Sequence, residues 1–154
     1  MNEYEVSGIE NIARGVCVVD GKVLLCKPKS GAYTYLPGGH IEFGEKGREA
    51  LVREIKEEMG LESEAGELLG VEECQFEQHG KPHAEINLIF KLTLLDGVSG
   101  QADNDAGASS GVRRQTSNVI HLSREDWIAF EWRDISDLEN ANLLPPEMAK
   151  YVRG

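Results

Sequence analysis

Residues Gly39–Leu61 read GHIEFGEKGREALVREIKEEMGL. From Lys46 to Met59, the apolar side chains Leu51, Ile55 and Met59 recur at i, i+4 and i+8, the period of an amphipathic helix. Gly60 is placed to end that helix as a left-handed C′ residue. Beside the apolar stripe, Glu54, Glu57 and Glu58 fall at i, i+3 and i+4. Their Cβ atoms are therefore expected roughly 5–6 Å apart. Like charges at that spacing oppose helix formation by about 0.2–0.5 kcal/mol per pair. Glu57 and Glu58 also lie near the helix C-terminus, the wrong end of the macrodipole for acids. Stability gives no reason for this cluster. A hard divalent cation does, because Mg²⁺ takes carboxylate oxygens and shares its other positions with water and substrate phosphates. Most Glu-rich helix faces are plain solvated surface, so the case rests on the frame around the glutamates.

That frame is regular. Gly39 is followed after five residues by Glu45, and after seven more by Arg53-Glu54-Ile55. Then come Glu57-Glu58 and, one residue on, Gly60-Leu61. The segment resembles the Nudix signature at all nine specified positions. A chance match in a chain of this length is on the order of 10⁻⁷. A looser resemblance extends outward, through a strand hairpin before the box, the Leu-Pro-Gly-Gly approach, and a Trp followed by a helix near the end. The resemblance implies an α/β fold, a Nudix-type α/β/α sandwich with a mixed β-sheet. It implies a single domain over 1–154, with the Nudix box at 39–61. It also implies Mg²⁺ or Mn²⁺ held by Glu57 and Glu58 with the Gly38 carbonyl. Glu54 would bind a further metal through water or orient the attacking water. Gly39, Glu45, Arg53 and Gly60 would be structural, with Arg53 pairing Glu45 to hold the loop on the helix. The implied reaction is metal-assisted attack of water on a phosphorus of a nucleoside diphosphate derivative. A nucleoside triphosphate, a nucleotide sugar, ADP-ribose and a dinucleoside polyphosphate all remain open. The alternative is a non-catalytic nucleotide-sensing module, which has no need of the full carboxylate set this chain keeps.

An acid from outside the box is sought at Glu125, at Asp126, or at Glu85 near the start of a central strand. His40 and His83 are candidates for phosphate contact. Tyr33 and Tyr35 are candidates for base stacking, although Thr34 stands where the family often has Trp. Substrate-binding residues are otherwise unassigned. Gly97–Ser117, built from Gly, Ser, Ala, Asp and Asn, reads as a flexible surface loop. Arg113 and Arg114 within it could close over a phosphate.

Working outward again, ARGVCVVDGKVLLCK at Ala13–Lys27 reads as two strands turning at Asp20-Gly21. The Gly- and Pro-rich run from Pro28 to Glu45 reads as loop, with a short strand near Tyr33–Leu36. Further strands are expected at Ala65–Glu73, Ala84–Leu95, Asn118–Leu122 and near Trp127–Trp132. The tail reads as one or two short helices broken at Pro145-Pro146. The 154 residues carry a net charge of -11, with 27 acids against 16 bases, which argues against a long nucleic acid partner. No apolar run approaches the roughly 20 residues of a membrane span. The N-terminus does not read as a signal peptide. Cys17, Cys26 and Cys74 read as buried free thiols in a reducing cytoplasm. A homodimer is the expected oligomer, being the commonest one.

Overall fold

A computed structural model describes residues 8–29, 31–95, 119–120 and 128–154. The predicted loop at 97–117, with Arg113 and Arg114, lies outside the described residues, as do Glu125 and Asp126.

Strand β1 (Glu10–Val16) runs into a break at Cys17. Beyond it, β2 (Val18–Val19) and β3 (Lys22–Pro28) pair around Asp20-Gly21. Both turn residues have positive φ, 52° and 78°, the type I′ geometry that suits the twist of flanking strands. The sequence suggested one continuous first strand, but the chain changes sheet at Cys17. The Cys17 carbonyl accepts from the Leu24 amide at 3.0 Å, so the break is itself hydrogen-bonded.

A second difference concerns the glycine run. Strand β4 (Gly38–His40) pairs antiparallel with β1, with Arg14 opposite Gly38 and Ile12 opposite His40. The expected strand near Tyr33–Leu36 is reduced to isolated bridges, Tyr35 to Cys26 and Thr34 to Leu143. Gly38 permits β4 because a Cβ there would lie 1.9 Å from the Ala13 carbonyl oxygen. Its φ of 142° also suits glycine alone.

Helix α1 (Gly47–Met59) starts one residue after its N-cap, Lys46. The Glu49 carboxylate accepts the Lys46 amide hydrogen at 2.9 Å, half of a capping box. Gly60, at φ 73°, closes the helix with its amide on the Lys56 carbonyl. Strands β5 (Ser63–Gln78) and β6 (Lys81–Leu94) form one long hairpin through His79-Gly80. They run well past the predicted Glu73 and Ala84 limits. Apart from buried Cys74, the added residues are mostly exposed, and cross-strand pairing holds them. The pairing of β5 with β6 shifts register between Ala65 and Gly70.

The remaining elements are β7 (Val119–Ile120), β8 (Ile128–Asp134), 3-10 turns at Ile135–Ala141 and Pro146–Met148, and helix α2 (Ala149–Arg153). One sheet has the order β4-β1-β6-β5 and is mixed, since β1 and β6 run parallel. The other has the order β2-β3-β8-β7 and is antiparallel. Together they make the middle layer of an α/β/α sandwich. On one side, Leu51, Ile55 and Met59 of α1 pack with Ala13, Leu24, Phe90, Leu92 and Phe130. On the other, Val23, Leu25 and Ile89 pack with Leu138, Met148 and Val152. Among the described residues, no helix is long and apolar enough to cross a membrane.

Candidate active site

The glycine strand and the acidic helix meet at Gly39. A Cβ on Gly39 would lie 2.4 Å from Cδ of Glu54, so this carboxyl fills the space the missing side chain leaves. Arg53 then ties the loop to the helix. Its Nη2 and Nε donate to the two oxygens of Glu45 at 2.7 and 3.0 Å, a fork-on-fork pair. Nη2 also donates to the His40 carbonyl at 2.9 Å. Nη1 reaches Glu54 at 3.3 Å and Glu57 at 3.2 Å. Glu45 in turn accepts the Glu42 amide hydrogen at 2.9 Å.

These contacts separate the acids electrostatically. The Arg53 guanidinium, helped by the Glu42 amide, holds the Glu45 carboxyl down to about 2. Burial pushes the Glu54 carboxyl above its usual range, and the Glu57 charge adds to that against the pull of Arg53. Glu54 and Glu58 are hydrogen-bonded to each other. Glu58 Oε1 is closed off from solvent. Three carboxylates thus crowd one end of α1, with Arg53 the nearby cation.

A hard cation suits this donor set in kind, since every side-chain ligand is a carboxylate oxygen. Among the described residues, however, no three acidic, His or Cys side chains already converge on a point that would hold a metal. Glu57 is paired with Arg53 at 3.2 Å.

The other sequence candidates lie elsewhere. Glu85 is in register with Glu10 of β1 and Cys74 of β5. By strand alternation it leaves the sheet on the face opposite α1, where it accepts from Asn87 at 3.3 Å. The structure therefore does not gather Glu85 with the helix carboxylates. His40 and His83 both engage Glu10, at 3.0 and 3.2 Å, and His83 stacks on Phe76 with centroids 5.0 Å apart. Tyr33 and Tyr35 are tilted neighbours, and Tyr35 packs against the core. Thr34 is buried and donates to the Ala141 carbonyl at 3.0 Å. Sequence inspection passed over Arg14 and Asn87, which lie on the same sheet face as Glu85 and are hydrogen-bonded to each other. The available signal was a lone polar residue inside each of two apolar strands, IARGV and INLIF.

The model of the NUDIX domain matches residues 10–153. The chain belongs to the NUDIX family. It is 40% identical over 86 residues to an ADP-ribose pyrophosphatase of Methanocaldococcus jannaschii, covering 54% of this chain and 50% of that one. The chain spans half or less of the length of the first curated relatives it matches. A NUDIX hydrolase from Nitrosomonas europaea superposes with a TM-score of 0.61 at 19% identity, covering 95% of this chain and 87% of that one. A UDP-X diphosphatase also gives 0.61, at 20% identity, over 96% and 62% of the two chains. At such identities these structures establish the fold.

Proposed function

We propose that this NUDIX chain hydrolyses a phosphoanhydride bond in a small nucleoside diphosphate derivative with the help of Mg²⁺ or Mn²⁺. The observation that carries the proposal is the Arg53–Glu45 clamp, which fixes the glycine strand on α1 and leaves Glu54, Glu57 and Glu58 at its rim. Glu57 and Glu58, with the Gly38 carbonyl, would hold the cation, and Glu54 would sit beside them. Bound there, the cation would neutralise phosphate oxygens and acidify water. Glu54 is suited to take a proton from water at its carboxylate, since burial raises its proton affinity. Gly39 keeps room for that carboxyl, and Arg53 sets its direction. Gly60 ends the helix just past Glu57 and Glu58.

ADP-ribose leads the list of substrates because the Methanocaldococcus jannaschii relative is named for it. A UDP-linked compound follows from the name of the solved neighbour. A long polynucleotide does not suit a chain of net charge -11. The three free cysteines are all buried, which suits the cytoplasm. We propose that the chain works as a single domain and as a homodimer.

A hydrolysis screen tests the proposal. ADP-ribose, UDP-sugars, nucleoside triphosphates and dinucleoside polyphosphates would be offered with Mg²⁺, with Mn²⁺ and with chelator. Turnover of at least one class that stops in chelator is expected. Turnover of none, or turnover indifferent to chelator, removes the proposal.

A further inference from the structure

Arg14 lies on β1, in register with Gly38 of β4 and Ile89 of β6, on the sheet face opposite α1. Three neutral groups hold its guanidinium. Nε donates to Asn87 Oδ1 at 3.4 Å, and Nη1 donates to the Leu36 carbonyl at 3.0 Å. The Tyr35 ring lies beneath, with its centroid 5.3 Å from Cζ. Asn87 is itself wholly buried and fixed, donating to Glu85 at 3.3 Å and to the Cys74 sulfur at 3.5 Å.

What Arg14 lacks is a counter-ion. Arg53 is paired with Glu45, Glu54 and Glu57, and Arg133 with Glu131 and Asp137. Among the described residues no carboxylate closes an ion pair with Arg14, and Nη2 has no acceptor. In a chain with 27 acids and 16 bases, an unpaired cation held partly out of water is unusual. Nη2 is left without an acceptor, so an anion that reaches it gains a charge-assisted hydrogen bond. The guanidinium is already oriented, so little rotamer freedom is lost when it binds a phosphate fork-wise.

The place is also right. Arg14 faces Gly38, the residue that leads into the carboxylate site. Burial dominates at the Tyr35 phenol, but Glu58 and Arg14 both lie close enough for their charges to act on it, in opposite directions. Arg14 and Glu58 therefore share Tyr35 as a neighbour.

We infer that Arg14, seated on Tyr35 and tied to Asn87 and Leu36, binds a phosphate oxygen of the diphosphate substrate as a preformed anion site. The identity of the anion rests on the hydrolase proposal, whereas the existence of the site does not. A purely structural arginine would use the same contacts to bind β1, β6 and the approach to β4 together. Ligand binding separates the two roles.

The experiment is calorimetric titration of the full chain, in chelator, with AMP and with pyrophosphate. Wild type, Arg14→Lys and Arg14→Met are compared, with Tm and KM measured alongside. Arg14→Met should weaken AMP binding by about 10–100-fold, the loss expected for a charge-assisted fork. Arg14→Lys keeps the charge without the fork and should fall between. KM should rise by a similar factor while kcat changes less. Wild-type affinity for AMP in either variant, or no binding of either probe to wild type, overturns the inference. Should Arg14→Met fail to fold, Arg14→Lys carries the same comparison. If wild type hydrolyses no nucleotide yet AMP binding still depends on Arg14, the hydrolase proposal falls and the anion site stands.

Discussion

Glu45 and Glu54 touch the same arginine and titrate in opposite directions. Glu45 meets Arg53 through both oxygens and takes an amide hydrogen besides, so its charge is fully answered. Glu54 meets Arg53 at the longer distance of 3.3 Å, is tucked against Gly39, and has Glu57 and Glu58 for company. One acid holds the fold together and the other is held by it. Proximity to a cation does not tell the two apart. The number of hydrogen bonds and the neighbouring acids do.

The largest test of this contrast is Glu57→Gln. It should lower kcat about 10³-fold, equivalent to ~4 kcal/mol of lost transition-state stabilisation, while the thermal melt stays close to wild type. Near-wild-type rates would remove the carboxylates from the chemistry. Next in size is Gly38→Ala, which sets a methyl group against the Ala13 carbonyl at a φ of 142°. A loss of about 3 kcal/mol is expected by denaturant titration, because backbone and not a flexible side chain must move. An unchanged midpoint would mean that β4 is not pinned there.

Glu45→Gln should change the acid limb of stability. The Glu45 carboxyl is depressed to about 2 in the fold from its ordinary value of 4.5. Its contribution is therefore complete above about 4.5 and is lost as pH falls toward 2. Wild type should destabilise across that window, and Glu45→Gln should flatten the curve there. Identical pH curves would show that the clamp carries no linked proton. The smallest effect is Glu54→Gln. The folded carboxyl has a raised proton affinity, so its charged form at neutral pH works against folding. The neutral isostere should raise the Tm of metal-free protein by about 2–4 °C. It should lower turnover at the same time. A lower Tm would make Glu54 a second clamp residue.

Much of this was legible in the sequence because helix signals are local. Leu51, Ile55 and Met59 fixed the buried face and Gly60 the stop, while the Glu45–Arg53 clamp was implied by the family resemblance. The hairpin at Asp20-Gly21 was legible for the same reason. The change of sheet at Cys17 was not, since it depends on a hydrogen bond from Leu24, which follows the turn. Strand β4 was hidden because glycines that usually signal a turn were needed for close approach to Ala13. The face that Glu85 leaves was not legible, because alternation gives a residue's neighbours on the strand but not which sheet face the helix covers. Arg14 went unremarked because the meaning of a charge in a strand depends on what surrounds it, here neutral groups from two other strands and a loop.

The long hairpin has one further consequence. Among the described residues, β1 supports β6 only from Glu85 onward, so Gln75–Gln78 and Lys81–Ala84 form a ribbon two strands wide. Isolated ribbons of that kind are marginal in water. Its amides should exchange with solvent through local opening, long before those of β1 or β3. Pro82 withholds a donor and Lys81 adds a charge along the bare margin, and both discourage a stray strand from annealing to it.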